Sequence, residues 1–265
     1  MHLNCEKHGI RADGYARVEM TFTNCVNIKQ VGHATLHIEK FDEDYLIPLP
    51  DVTVRGYLKG CLYPEVAGTY HIVSSSGYVS EIQFSGAGLF RGKRNCFTAR
   101  TYHKDDPARK SIYEVEGVWS DKWTVRDGET GQVLETFSFG PSNEPADISI
   151  AAIQDQSPWE SRRAWDPVVS ALVKGEYAEA SREKHKLEQA QRDMRAREAS
   201  EGKTWTPLLF RSMPGEDHKV FHELAEGTGW KLQDSRTKGV WRIADGLKPD
   251  EMRPFHGAAT PVASI

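Results

Sequence analysis

For its first 140 residues the chain alternates apolar and polar side chains, and this pattern limits the fold more than any other feature. Ala16, Val18, Met20 and Phe22 alternate with Arg17, Glu19 and Thr21, and Ala34, Leu36 and Ile38 alternate with His33, Thr35, His37 and Glu39. Similar runs follow at 45–49, 52–58, 69–73, 79–84, 96–102, 112–119, 122–126 and 133–139. A period of two with one wet face specifies antiparallel sheet. Asp13-Gly14, Ser76-Gly77, Gly86-Ala87-Gly88, Asp127-Gly128 and Thr130-Gly131 are read as the turns between strands. With no helices between the runs, a meander, barrel or sandwich is expected rather than βαβ units.

The pattern changes near Gly140. Residues 141–158 are read as a linker, rich in proline and small polar residues. Ser157-Pro158-Trp159-Glu160 then carries a capping residue, a first-turn proline and the acid of a capping box. Trp165, Val168, Val169 and Leu172 give that helix an apolar stripe, and Gly175 is placed to end it. A second helix is expected from Glu176 to about Glu201, with Gly202 as its stop. The C-terminal part, 204–245, mixes short strand-like and helical pieces (205–210, 220–225, 230–233 and 240–243), and 246–265 reads as a loose tail.

Composition removes several classes of function. No apolar run approaches the roughly 18 residues of a spanning helix, and mean hydropathy is -0.58. A formal charge of -4 argues against a nucleic-acid partner. Cys5, Cys25, Cys61 and Cys96 form no Cys-x-x-Cys pair, so neither a zinc ribbon nor a thioredoxin motif is expected, and they are too sparse for a disulfide scaffold. A reducing, cytoplasmic setting without a signal peptide is the matching expectation. His33 and His37 share a strand face but are too few for a metal site, and are read as surface histidines. Ser74-Ser75-Ser76 has no neighbouring base and is read as a solvated turn. No nucleophile elbow, zinc helix or phosphate loop is present, so no enzyme, metal or cofactor is expected.

Between Glu176 and Lys203 acids and bases occur in equal number, seven of each. Lys184, Glu188 and Arg192, spaced four apart, form one stripe. Taken alone, the stripe fits a solvated ion-pair ladder better than a paired cationic grip on an anionic ligand.

Several motifs together resemble the oxysterol-binding protein family. They are Gly56-Tyr57-Leu58-Lys59-Gly60, Gly77-Tyr78-x-x-x-Ile82-x-Phe84, Gly92-Lys93-x-Asn95-x-Phe97 and Gly117-Val118-Trp119-Ser120. Glu160-Ser161-Arg162-Arg163-Ala164-Trp165, Glu183-Lys184-x-x-x-Glu188-x-x-Gln191-Arg192 and Gly202-x-x-Trp205 follow in the family's order. The resemblance runs from about Gly9 to Arg242. It implies a single domain, mainly β with C-terminal helices (α+β): an incomplete antiparallel β-barrel over 1–140 around a lipid tunnel, then helices over 159–203. It also implies lipid binding and non-vesicular transfer of a sterol or phospholipid, exchanged for phosphatidylinositol 4-phosphate, by a cytoplasmic protein peripheral at membranes or membrane contact sites. Lys184, Glu188 and Arg192 match the family residues that serve the phosphoinositide headgroup, which favours the ligand reading of the stripe. The family's Glu-Gln-Val-Ser-His-His-Pro-Pro segment is absent. The expectation is therefore a domain shortened at its N-terminus, without lid or first strands, whose first strand is an open sheet edge. The alternative is a transfer-inactive interaction module or a gene-model fragment of such a protein.

Overall fold

In the computed structural model the alternating runs form one twelve-stranded antiparallel sheet. The structure describes residues 1–22, 25–56, 60–86, 94–139, 149–204, 206–207 and 209–244. The strands of the main path are β1 (His2–Cys5), β2 (Ile10–Phe22), β3 (Val26–Ile38), β4 (Glu43–Pro48), β7 (Gly68–Ser74), β8 (Tyr78–Ser85), β9 (Cys96–His103), β10 (Tyr113–Val118), β11 (Lys122–Asp127) and β12 (Val133–Ser138). They pair in that order. β5 (Val52–Arg55) pairs with β3 and carries β6 (Tyr63–Val66). Among the described residues β1 and β12 lie at opposite ends of the path, so the sheet is an unclosed barrel wall.

One expected turn is not a turn. Asp13 and Gly14 lie inside β2, paired with Thr35 and Ala34. The chain reverses instead at Glu6–Gly9, where Gly9 takes a left-handed φ of 59°. Gly14 serves close approach between strands: a Cβ there would sit 3.0 Å from that of Ala34. The first part of the expected linker, 141–148, falls outside the described residues, as do the expected tail 246–265, Ala87-Gly88, Tyr57–Lys59, Gly92-Lys93 and Trp205; the rest of the linker holds one 3-10 turn, Ile153–Asp155.

Register divides the sheet into two unlike faces. One carries Val31, His33, Thr35, Leu46, Val73, Val79 and Tyr102, and all seven are buried. Leu46, Val73, Val79 and Tyr102 stand in one cross-strand row. The segment Arg211–Ile243 belongs to the same compact unit as Met1–Glu144 and lies on this face. Its α4 (Lys219–Ala225) packs Phe221, Leu224 and Ala225 onto the row, with Val220, Trp230 and Leu232 at the margin. Its α5 (Asp234–Thr237) reaches β2, where Arg236 pairs with Glu19 and its carbonyl accepts from Arg17 at 2.7 Å. Two short strands, β13 (Phe210–Met213) and β14 (Val240–Ile243), pair with each other.

His33 is not the surface histidine expected from the sequence. It is 3% exposed, and its Nε2 shares a 2.8 Å hydrogen bond with Nε2 of the equally buried His218. Tyr15 and Phe221 enclose the pair edge-on and tilted, at centroid distances of 5.1 and 4.8 Å from His33. Alternation shows that His33 shares a face with Thr35 and His37. It does not show that a segment 185 residues away covers that face. His37 remains near the surface, 3.0 Å from Asp44.

The second unit comprises Pro145–Phe210 and Ala244–Ile265. Only half of the expected capping box forms: Glu160 Oε1 accepts from the Ser157 N–H at 2.8 Å, but 157–160 make a turn and the helix starts at Ser161, with no side chain capping it. The single helix expected after it is two, α1 (Ser161–Ala164) and α2 (Asp166–Val173), joined at Trp165. Pro167 sits in the first turn of α2, where the missing N–H and fixed φ suit a helix start rather than an interior. Gly175 (φ 76°) ends α2 and Gly202 (φ 66°) follows α3 (Tyr177–Ser200). Val168 and Ala171 meet Ala180 and Leu187 in the seam, making α2 and α3 an antiparallel hairpin.

Candidate functional site

The uncovered face of the sheet is the apolar one. Ile10, Ala12, Ala16, Val18 and Met20 of β2 stand opposite Ile38, Leu36, Gly32, Gln30 and Ile28 of β3. Across β7 to β11 a row runs Tyr70, Ile82, Ala99, Val115, Val125. The adjacent row runs Gly68, Phe84, Phe97, Gly117, Trp123, Phe137. Its rings form a ladder, with centroids 6.1 Å apart for Phe84–Phe97, 6.2 Å for Phe97–Trp123 and 4.3 Å for Trp123–Phe137. Gly117 allows a close approach of β10 to β11, since a Cβ there would lie 2.5 Å from Trp123 Cα. None of these ladder side chains is fully buried; they are half-buried, whereas Val18, Met20 and Phe22 are mostly exposed.

A cavity of about 620 Å³ lies on this face, lined by Phe41, Tyr45, Ile72, Tyr78 and a polar group. In that group Tyr45 donates to Glu43 Oε2 at 2.6 Å, Ser76 donates to the other carboxylate oxygen, and Ser74 and Ser76 lie 2.8 Å apart. The serine and tyrosine hydrogen bonds hold the Glu43 carboxyl below its usual range. The same bond pushes Tyr45 up to about 12. The Ser74–Ser76 segment is thus a turn bonded to a carboxylate, with Ser74 itself buried.

In the helical unit, Lys184, Glu188 and Arg192 share one face of α3. Lys184 Nζ is 2.6 Å from Glu188 Oε1, and an Arg192 guanidinium nitrogen is 3.8 Å from the other oxygen. The Lys184 hydrogen bond, then the Lys184 and Arg192 charges, keep the Glu188 carboxyl below its usual range. Lys184 and Arg192 are exposed and Glu188 is half-buried. Glu188 and Arg192 also line a groove of about 470 Å³ with Trp159, Trp165, Leu187, Gln191 and Arg195; Lys184 does not line it. Gln191 and Arg195 were not singled out as site residues from sequence. Their signal was present in the spacing, because Arg195 lies seven residues beyond Glu188 and returns to the same face. Among the described residues no cluster of three His, Cys, Asp or Glu could hold a metal. No described helix is long and apolar enough to cross a membrane.

The family model for oxysterol-binding protein matches residues 1–168 and 157–239. The chain belongs to the oxysterol-binding protein family. It is 42% identical over 259 residues to the probable transporter efuK of Hormonema carpetanum, covering 97% of this chain and 37% of that protein. It is 36% identical over 215 residues to protein kes1 of Schizosaccharomyces pombe, covering 79% and 54%. The chain therefore spans between about a third and a little over half of these relatives. Its fold is that of the Osh3 ORD from Saccharomyces cerevisiae in complex with PI(4)P, with a TM-score of 0.67, 19% identity, and coverage of 96% and 64%. It is also like the Osh1 ORD in complex with cholesterol, with a TM-score of 0.57, 17% identity, and coverage of 87% and 70%.

Proposed function

We propose that this chain binds one membrane lipid at a time on the apolar sheet face and carries it between membranes. The observation that carries this reading is the inverted sheet, whose apolar face is uncovered while its mixed polar face is the packed one. An exposed apolar field of this extent is unfavourable in water and marks a ligand or interaction surface. Its aromatic ladder and β-branched rows suit a sterol ring system or acyl chains, which are held by area burial at about 25 cal/mol per Å². Family membership and the sterol- and PI(4)P-bound neighbours support the same ligand class.

The anionic end of an exchanged phosphoinositide is assigned to Lys184 and Arg192. Arg192 supplies the forked donor that suits phosphate, Lys184 supplies a mobile point charge, and Glu188 between them holds both extended. No step requires bond breaking, so the activity is carriage rather than catalysis. The protein would visit membranes transiently from the cytoplasm.

The test uses the full chain with liposomes carrying a fluorescent sterol or phosphatidylinositol 4-phosphate. Wild type is expected to extract both. Ile82→Asp, in the middle of the apolar row, is expected to abolish extraction of both. Lys184→Glu with Arg192→Glu is expected to abolish phosphoinositide extraction and spare sterol. A folded wild-type chain that extracts neither lipid overturns the reading in favour of an interaction module.

A further inference from the structure

The α2–α3 hairpin leaves a second apolar surface outside any core. Val173 is 82% exposed and Tyr177 75%, and Trp165, Val169 and Leu172 are each close to half-exposed. Trp165 and Val169 are four apart, and Leu172 and Val173 lie a turn further on, so they form one stripe along α2. Tyr177, Ser181, Lys184, Glu188, Arg192 and Arg195 form the matching stripe on α3 by the same spacing.

The two stripes lie on the same side of the hairpin. The helices are antiparallel about the seam of Val168, Ala171, Ala180 and Leu187, and each stripe lies about a quarter-turn from that seam in the direction of its own helix. Trp165 accordingly lines the same groove as Glu188, Arg192 and Arg195. The surface is therefore a patch of large apolar and aromatic side chains edged by three cations and by two acids, Glu188 and, by spacing, Asp166 at the start of α2. By spacing, the other acids of α3 (Glu179, Glu183, Asp193 and Glu198) fall on its remaining sides, where Glu179 pairs with Arg182 and Glu183 with Lys186.

We propose that this face of the α2–α3 hairpin is the surface that lies on an anionic bilayer during lipid loading and release. The proposal rests on the lipid-carrier reading above and names where the carrier touches the membrane. Tryptophan and tyrosine favour the interfacial zone, and flanking lysine and arginine are drawn to anionic headgroups. Valine and leucine between them gain from shallow insertion. The charge asymmetry selects the bilayer over a second copy of the chain. A two-fold interface on this face would bring Lys184, Arg192 and Arg195 of both copies into one neighbourhood. The same face holds Lys184 and Arg192, so a headgroup in the bilayer surface is within their reach.

The test measures co-sedimentation of the full chain with phosphatidylcholine vesicles, with and without phosphatidylserine and lacking phosphoinositide. This separates docking from headgroup recognition. Wild type is expected to bind the phosphatidylserine vesicles and to be released by salt. Val173→Asp with Tyr177→Asp is expected to bind about tenfold more weakly, as lost apolar insertion predicts. Both sites are solvent-exposed, so circular dichroism should be unchanged; Val173→Ser with Tyr177→Ser is the milder pair, expected to lose several-fold. Sterol uptake from cyclodextrin needs no bilayer and scores the carrier reading separately. Equal vesicle binding by wild type and both variants overturns the docking surface, whatever the uptake result. So does wild type that ignores vesicles, or a wild-type dimer that the substitutions dissociate without altering vesicle binding. Loss of vesicle binding by variants that still take up sterol supports it.

Discussion

The two faces of the one sheet obey opposite rules. The face bearing His33, Thr35, His71, Glu81 and Arg100 is the more polar, yet its apolar minority of Val31, Leu46, Val73, Val79 and Tyr102 forms the packed core beneath α4. The face bearing Ile28, Leu36, Ile82, Phe97 and Trp123 is the more apolar, yet none of these is buried. The packed core and the larger apolar field are thus on opposite sides of the same strands. Neighbouring residues can have different surroundings: Val79 lies in the packed core, while Ile82, three positions later, lies on the uncovered face.

This contrast is best broken by substituting matched residues on the two sides. Leu46, fully buried, is expected to cost about 2–5 kcal/mol on mutation to alanine, because transfer and cavity terms add. Urea denaturation measures this. The same truncation at Met20 or Val18 is expected to cost under about 1 kcal/mol, as for ordinary surface changes. Equal costs on the two sides would end the distinction.

The His33–His218 pair tests the covered face through pH. Burial first, then the neighbouring charge of His218 and Arg242, lowers His33 from its ordinary 6.5 to about 3. Burial, Arg242 and His222 lower His218 to about 4. A depressed histidine pKa gives stability that is whole above the unfolded value and lost as pH falls from about 6.5 towards 4. The unfolded chain takes up protons there that the folded chain refuses. A loss of roughly 2 kcal/mol per histidine, about 4 kcal/mol for the pair, is expected by pH 5, centred on the docking of 211–243. His33→Leu combined with His218→Leu should flatten the profile between pH 6.5 and 5. An unchanged slope in that double variant would show that the pair does not govern it. His218→Ala alone should cost about 1–3 kcal/mol at neutral pH, because His33 loses its buried partner.

The smallest effect on stability is expected at the charged stripe. Lys184→Gln should change the midpoint by less than about 0.5 kcal/mol, since exposed ion pairs four apart contribute little. The same change should nevertheless weaken phosphoinositide extraction. A large stability loss there would mean the stripe is structural.

Much of the architecture is legible in one dimension because period two and period 3.6 are local properties. The strands, the stops at Gly175 and Gly202 and the spacing of Lys184, Glu188 and Arg192 can all be read that way. The misreadings share a cause. Asp13-Gly14 resembles a hairpin turn until its partner Ala34 is known, and Pro167 divides a helix whose apolar stripe continues across the break. His33 is a strand histidine until His218 arrives from a distant segment.

Sequence alone determined that this chain makes a large antiparallel sheet with two chemically distinct faces, followed by charged helices. It did so because side-chain alternation and helical spacing depend only on near neighbours. Tertiary structure alone decided which face is covered, since residues 211–243 could have buried their apolar groups against either side. Placing them against the polar side required a long-range match, from Phe221 and His218 to Leu46 and His33, and left the apolar side free.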